Sequence, residues 1–329
     1  MLSRVAERMY WFGRYMERVE DTALLVRVNN NLMLDLPKVK HIWHSLLSIT
    51  GEEQQYANRY QLINEQNVVK FLLAGEGSSI RESVRFAREN ARTTREIMPR
   101  DAWEKVNKLH HYLKNNLDKG LTRNGRDQFL GDVIGYCHEL TGYLHGCMSS
   151  SEPYQFIRLG RHLERADMTS RILDVGVFSL TSADIPELQE HENLLWTNVL
   201  RSLSGYQAYR LHVNDRINGE DVAAFLVRDT HFPRAITHCL DEAVKCCESL
   251  PREDLPLRAV TKLQRMLHQS NVITMFGEKT LHDFIDNIQL ELAHIHDEVV
   301  TNWFDYDFDA SMFEKTIFEK PAPGLASRA

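Results

Sequence analysis

The chain has 329 residues, 43% hydrophobic and 26% charged, so it is long enough to bury one large core or two ordinary ones and too apolar to be disordered. Its 46 acidic residues outnumber 39 basic ones, a net charge of −7, which argues against a general nucleic-acid binder with a basic surface. The cysteines Cys137, Cys147, Cys239, Cys246 and Cys247 are odd in number and form no CxxC pair. A disulfide framework or a structural zinc site is therefore not expected, and a reduced cytoplasmic setting fits best.

No stretch approaches the 18 or so apolar residues of a membrane span, and Arg4, Glu7 and Arg8 interrupt any leader-like run at the start. From Val5 the apolar residues Met9, Phe12, Met16, Val19, Ala23 and Val26 alternate steps of four and three, the stripe of a long packed helix that breaks near Pro37. Ser79-Ile80-Arg81-Glu82 reads as a capping box that opens a helix, which Pro99 ends. Asp101-Ala102-Trp103-Glu104 reads as a second capping box. Further helices are predicted over 102–117, 127–148, 154–180, 187–211, 233–249, 257–273 and 278–304. Val222–Val227 is short enough to be helix or strand. The fold class is all-α. Residues 305–329 read as a loosely ordered arm. Asp305, Asp307 and Asp309 do not make a calcium loop, because Ala310 and Thr316 stand where such a loop needs Gly and Glu.

The strongest internal signal is a repeat. Gly13-Arg14-Tyr15-Met16-Glu17-Arg18-Val19-Glu20-Asp21-Thr22 recurs as Gly160-Arg161-His162-Leu163-Glu164-Arg165-Ala166-Asp167-Met168-Thr169, and Asn64, Phe71 and Leu109 recur as Asn218, Phe225 and Leu263. The spacing of about 150 residues is too long for a solenoid. The expected architecture is a duplicated helical bundle with a pseudo-two-fold, its halves being residues 1–150 and 151–304.

Together, Leu2-Ser3-Arg4-Val5-Ala6-Glu7, Tyr10-Trp11, the two Gly-Arg-x-x-Glu-Arg elements and Ala87-Arg88-Glu89-Asn90-Ala91-Arg92 make the chain resemble the bacterial alpha-E domain family, to about residue 304. Tyr154 stands where members of that family often carry Trp. The resemblance implies an all-helical domain with a Glu-Arg motif. It also implies a genomic neighbourhood of ATP-grasp ligases and transglutaminase-like peptidases, hence a part in forming or modifying peptides.

Arg14, Arg18 and Asp21 lie together on one helix, with Glu17 and Glu20 flanking the apolar stripe. Because both copies keep the set, Glu17 is expected to face Arg161 or Arg165 of the other helix, and reciprocally. Arg14, Glu17, Arg18, Glu20, Arg161, Glu164, Arg165 and Asp167 then form a structural network; the alternative is a catalytic site built on Glu17, Arg18, Glu164 and Arg165. A second feature is present in one half alone. Arg81, Arg85, Arg88, Arg92 and Arg95 repeat at four-three spacing beside Glu82, Glu89 and Glu96. The aligned residues of the other half are Thr237, Asp241, Val244, Glu248 and Pro251. Such a guanidinium face suits an anionic peptide, a phosphate or a partner protein, or is simply a solvated face.

Glu291-Leu292-Ala293-His294 resembles one element of a di-iron bundle, but the first half has no matching second element. No metal or other cofactor is expected. Three functions stay open: an accessory, partner-binding protein (favoured), an enzyme of peptide or amide chemistry, and a ferritin-like metal bundle.

Overall fold

The computed structural model describes residues 1–35, 42–181, 191–213 and 216–304; the C-terminal arm and its Asp305–Asp309 run lie outside these. Among the described residues all regular structure is helical. The elements are α1 (Ser3–Asp35), α2 (Ile42–Thr50), α3 (Glu53–Ala57), α4 (Glu65–Ala74), α5 (Ile80–Thr93), α6 (Arg100–Leu121), α7 (Arg123–Cys147) and α8 (Glu152–Thr181). They continue as α9 (Glu192–Ser202), α10 (Tyr206–His212), α11 (Gly219–Arg228), α12 (Ile236–Glu248), α13 (Asp254–Gln269), α14 (Val272–Gly277) and α15 (Leu281–Val299), with a π-helical turn at Val300–Phe304.

The two longest helices, α1 and α8, pack along each other at the centre. Helices α5 and α7 flank α1, and α12 and α15 flank α8 in the same way; α6 joins α5 to α7 as α13 joins α12 to α15. The apolar stripe read from the sequence is the buried one: Met9, Phe12 and Val19 on α1 and Phe156, Leu159 and Leu163 on α8 are all in the core.

Local chemistry explains most boundaries. Asn64 and Asn218 cap α4 and α11 alike, each side chain accepting from the backbone N–H three residues on, at 2.9 Å. Ser79 caps α5 as expected, its hydroxyl accepting from Glu82 N. The second capping box does not form. Pro99 starts α6 two residues earlier, so Asp101 falls inside the first turn, where its carboxylate suits the helix dipole and accepts from the Tyr143 hydroxyl at 3.1 Å. The helix expected over 187–211 is interrupted. Ser204, at φ 54°, turns the chain left-handed, and Gly205 N closes on Leu200 O at 2.7 Å. The segment 257–273 is likewise two helices, because Asn271 caps α14. Val222–Val227 is helix and wholly buried but for Ala224, which is half-buried. The stretch between Pro37 and Ser79, for which the sequence pattern gives no element, holds α2, α3 and α4.

Candidate functional site

The site begins with two glycines. A Cβ on Gly13 would run into the backbone carbonyl of Ile157, and one on Gly160 into that of Tyr10. Only glycine lets α1 and α8 approach this closely. Because each glycine precedes the same Arg-x-x-Glu-Arg sequence, the close approach brings the two charged sets together one turn further on.

Arg18 Nε donates to Glu164 Oε1 at 2.6 Å, and Arg14 Nε donates to Glu164 Oε2 at 2.6 Å. In the opposite direction Arg165 donates twice to Glu17, from Nε at 2.6 Å and from Nη2 at 2.9 Å. Glu17 and Glu164 are each 2% exposed, so these pairs sit in the core and not on a solvated face.

A fourth arginine completes the cluster. Arg234, in the loop before α12, reaches Glu17 at 3.2 Å and Glu20 at 2.5 Å, and also grips Asp21. Thr169 anchors that loop by donating to Arg234 O at 2.8 Å. His138 of α7 meets Glu20 from the rim at 3.2 Å.

Burial and charge pull against each other throughout. Burial opposes ionisation of Glu164, but the Arg18 and Arg14 guanidiniums hold its carboxyl down at about 2. Glu20 is also held at about 2, against burial, by His138 and Arg234. Asp21 goes the other way: burial lifts it well above the usual carboxylate range, Arg234 lowers it in part, and Glu17 and Glu20 push it higher. On the far side of Arg14, the Tyr10 hydroxyl meets His296 Nδ1 at 2.9 Å. Burial, with Arg14 nearby, pushes His296 down to about 3, so it is neutral at physiological pH.

Of the eight residues named from the sequence for a network, six take part in these contacts. Arg14, Glu17, Arg18, Glu20, Glu164 and Arg165 meet across the helices. Arg161 does not reach Glu17, which Arg165 and Arg234 already occupy; its buried Nε has no hydrogen-bond partner, and burial together with Arg165 lowers its pKa. Asp167 bonds Arg171 of its own helix at 3.0 Å instead of crossing. Sequence reasoning missed Arg234, which lies in a loop with no periodicity. The available signal was three acids, Glu17, Glu20 and Asp21, within five residues of a buried helix, which need more cation than α1 supplies.

A cavity of about 30 Å³ adjoins Arg18 and Glu164, lined also by Glu52, Ser78, Asp167 and Arg171. That is room for about two waters, not for a peptide. Glu52 is buried against it with Oε2 unpartnered, and burial raises its pKa.

The arginine face is not uniform. Arg81, Arg85 and Arg92 are exposed on α5, while Arg95 lies beyond the helix end. Glu82 pairs with Arg85 at 2.7 Å, and Glu89 with Arg92 at 2.6 Å. Arg88 is half-buried, donates to Asn107 at 2.7 Å, and shares the Trp103 ring with Arg95. In the other half Thr237 is buried and Asp241 accepts from Gln264, so that surface is built differently.

Glu291 pairs with Lys262 at 2.6 Å and His294 lies 3.8 Å from Glu298, so the Glu-x-x-His element gathers no metal-ligand set. Burial raises the Cys137 and Cys239 thiols, the latter to about 12, which leaves them poor nucleophiles.

The family described as a predicted alpha-helical domain with a conserved ER motif matches residues 1–304. The chain belongs to the alpha-E family. Comparison with curated proteins and with solved structures finds no match. Glu-Arg occurs in this alpha-E domain at Glu7-Arg8, Glu17-Arg18 and Glu164-Arg165, and the latter two pair with each other through Arg18–Glu164 and Arg165–Glu17. No described helix of the alpha-E domain is long and apolar enough to cross a membrane.

Proposed function

We propose that this alpha-E domain is a non-catalytic, partner-binding protein whose two halves, 1–150 and 151–304, are related by a pseudo-two-fold and clasped by the Glu-Arg pairs. The observation that carries the reading is that buried Glu17, Arg18 and Glu164, with half-buried Arg165, are engaged with one another and with Arg14 and Arg234, beside a cavity too small for a peptide. Groups committed to each other in this way serve docking better than turnover. The reciprocal glycine contacts and the matching neighbours of α1 and α8 support the pseudo-two-fold.

The binding surface is the α5 arginine face, and its occupant is an acidic segment of a partner protein. The family resemblance names the partner class: an ATP-grasp ligase or a transglutaminase-like peptidase of a cytoplasmic peptide-forming or peptide-modifying system. Arg88 and Arg95 share the Trp103 ring and Arg85 lies over its helix neighbour Phe86; the recognition falls to the exposed Arg81, Arg85 and Arg92, which pair with acids of their own helix. The guanidiniums of those intrahelical pairs are exposed and screened by water, so an incoming carboxylate displaces the pairs at little cost.

The test is fluorescence anisotropy with a labelled oligoglutamate peptide. Replacing Arg81, Arg85 and Arg92 together by Ala is expected to weaken binding about tenfold or more and to leave the melting curve unchanged. Binding equal to that of the parent contradicts the assignment of this face.

A further inference from the structure

Three side chains outside the Glu-Arg cluster converge where α8 meets the start of α15. Asp174 comes from α8; His282 and Asp286 come from α15, four residues apart and so on one face. Their candidate ligand atoms all lie within 4.8 Å of one another, and all three residues are half-buried. His282 Nδ1 lies 2.5 Å from Asp174 Oδ1. The exposed Phe178 ring sits over one side, 5.8 Å from the His282 ring.

The other half offers a comparison. Asp174 stands fourteen residues after Gly160, as Arg27 stands fourteen after Gly13. Arg27 of α1 packs against α7 and donates to Asp127 at 2.8 and 3.1 Å. A Cβ on Gly131, four residues after Asp127, would lie 3.4 Å from Arg27 Nη1. So one half places a cationic side chain against an acid and a glycine. The other replaces the cation by Asp174 and faces it with His282 and Asp286, at the same four-residue spacing. The cationic side chain is gone, and Asp174, His282 and Asp286 bring their ligand atoms within 4.8 Å of one another instead.

We propose that Asp174, His282 and Asp286 form a binding site for a single divalent transition-metal ion, of the zinc or manganese type, that ties α8 to α15. One imidazole and two carboxylates make a three-ligand set that leaves a fourth coordination position to water, which suits zinc, or manganese with further waters, better than calcium or copper(I). Ligand atoms about 2.0–2.1 Å from a tetrahedral ion stand about 3.4 Å apart, so the His282–Asp174 contact opens by about 1 Å as the ion enters. The site uses neither Glu291 nor His294, and it does not depend on the arginine face.

The experiment is isothermal titration of Zn²⁺ into the full-length, tag-free protein stripped with chelator, with Co²⁺ absorption reporting the ligand geometry. The expected result is one equivalent bound per chain, with His282→Ala and Asp286→Asn each weakening binding about tenfold or more. The double variant Glu291→Gln/His294→Ala is expected to bind like the parent. Circular dichroism checks folding of each variant; if one of the two ligand variants fails to fold, the other decides. Absence of stoichiometric binding overturns the proposal. So does binding undiminished in a folded ligand variant, and so does binding lost in the Glu291/His294 control.

Discussion

Glu164 shows what a single buried charge does to the stability of this protein. Its carboxyl titrates near 4.5 when unfolded and at about 2 when folded, because Arg18 and Arg14 outweigh the opposing burial. A lowered folded value means stabilisation that is complete above pH 4.5 and lost as pH falls through 4.5 toward 2. The difference corresponds to about 3 kcal/mol. His296 adds to acid sensitivity earlier. It is buried neutral at about 3, so protonation of the unfolded chain erodes stability once pH drops below about 6.5. Glu164→Gln is therefore expected to be less stable than the parent at pH 7, and the gap should narrow by about 2 kcal/mol at pH 3 in urea titrations. A gap that stays constant across that range contradicts the Arg14–Glu164–Arg18 account. At this scale the sequence was informative for pairing and poor for burial. The acids and arginines of Gly13–Thr22 and Gly160–Thr169 could be matched, but a polar helix face reads as solvated, and here three helices cover it. Arg234 and His138 come from a loop and from a third helix, and no local pattern announces either.

At the scale of elements, the crossing of α1 and α8 is set by Gly13 and Gly160, whose missing Cβ atoms leave room for backbone carbonyls of the opposite helix. Gly13→Ala and Gly160→Ala should each force the helices apart and cost about 3 kcal/mol, the upper part of the range for overpacking, since backbone cannot rotate away. The comparison is Gly142→Ala, where an added Cβ meets nothing within 4 Å and α7 gains from the better helix former. Equal melting temperatures for the Gly13 and Gly142 variants would contradict the close-approach argument. Long helices with a four-three apolar stripe were legible in the sequence. Short ones were not: α2, α3 and α4 are too brief to show a period, and the α9–α10 break at Ser204 depends on one left-handed residue that is not a glycine. The misplaced start of α6 has the same origin, since Pro99 and Asp101 are both acceptable beginnings and the side chain of Asp101 finds Tyr143 instead.

For the molecule as a whole, the recurring motif foretold which two helices meet, and it did so across some 150 residues of chain. Breaking one partner of a buried ion pair is costly, whereas an exposed surface tolerates change, so a motif of this kind stands out against the surface residues around it. The two proposed binding features lie in different parts of the chain: the guanidinium face on α5, and the Asp174–His282–Asp286 group on α8 and α15. The first was visible as an unusual charge periodicity. The second was not, because its residues are 108 positions apart and only the packing of α8 on α15 joins them. The central claim is that Glu17 and Arg165, 148 residues apart, clasp the two halves. A double-mutant cycle on Glu17→Gln and Arg165→Met, read by urea unfolding, tests it most directly. The account predicts a coupling energy of about 2 kcal/mol or more between the two sites. Effects that simply add, within about 0.5 kcal/mol, would contradict it.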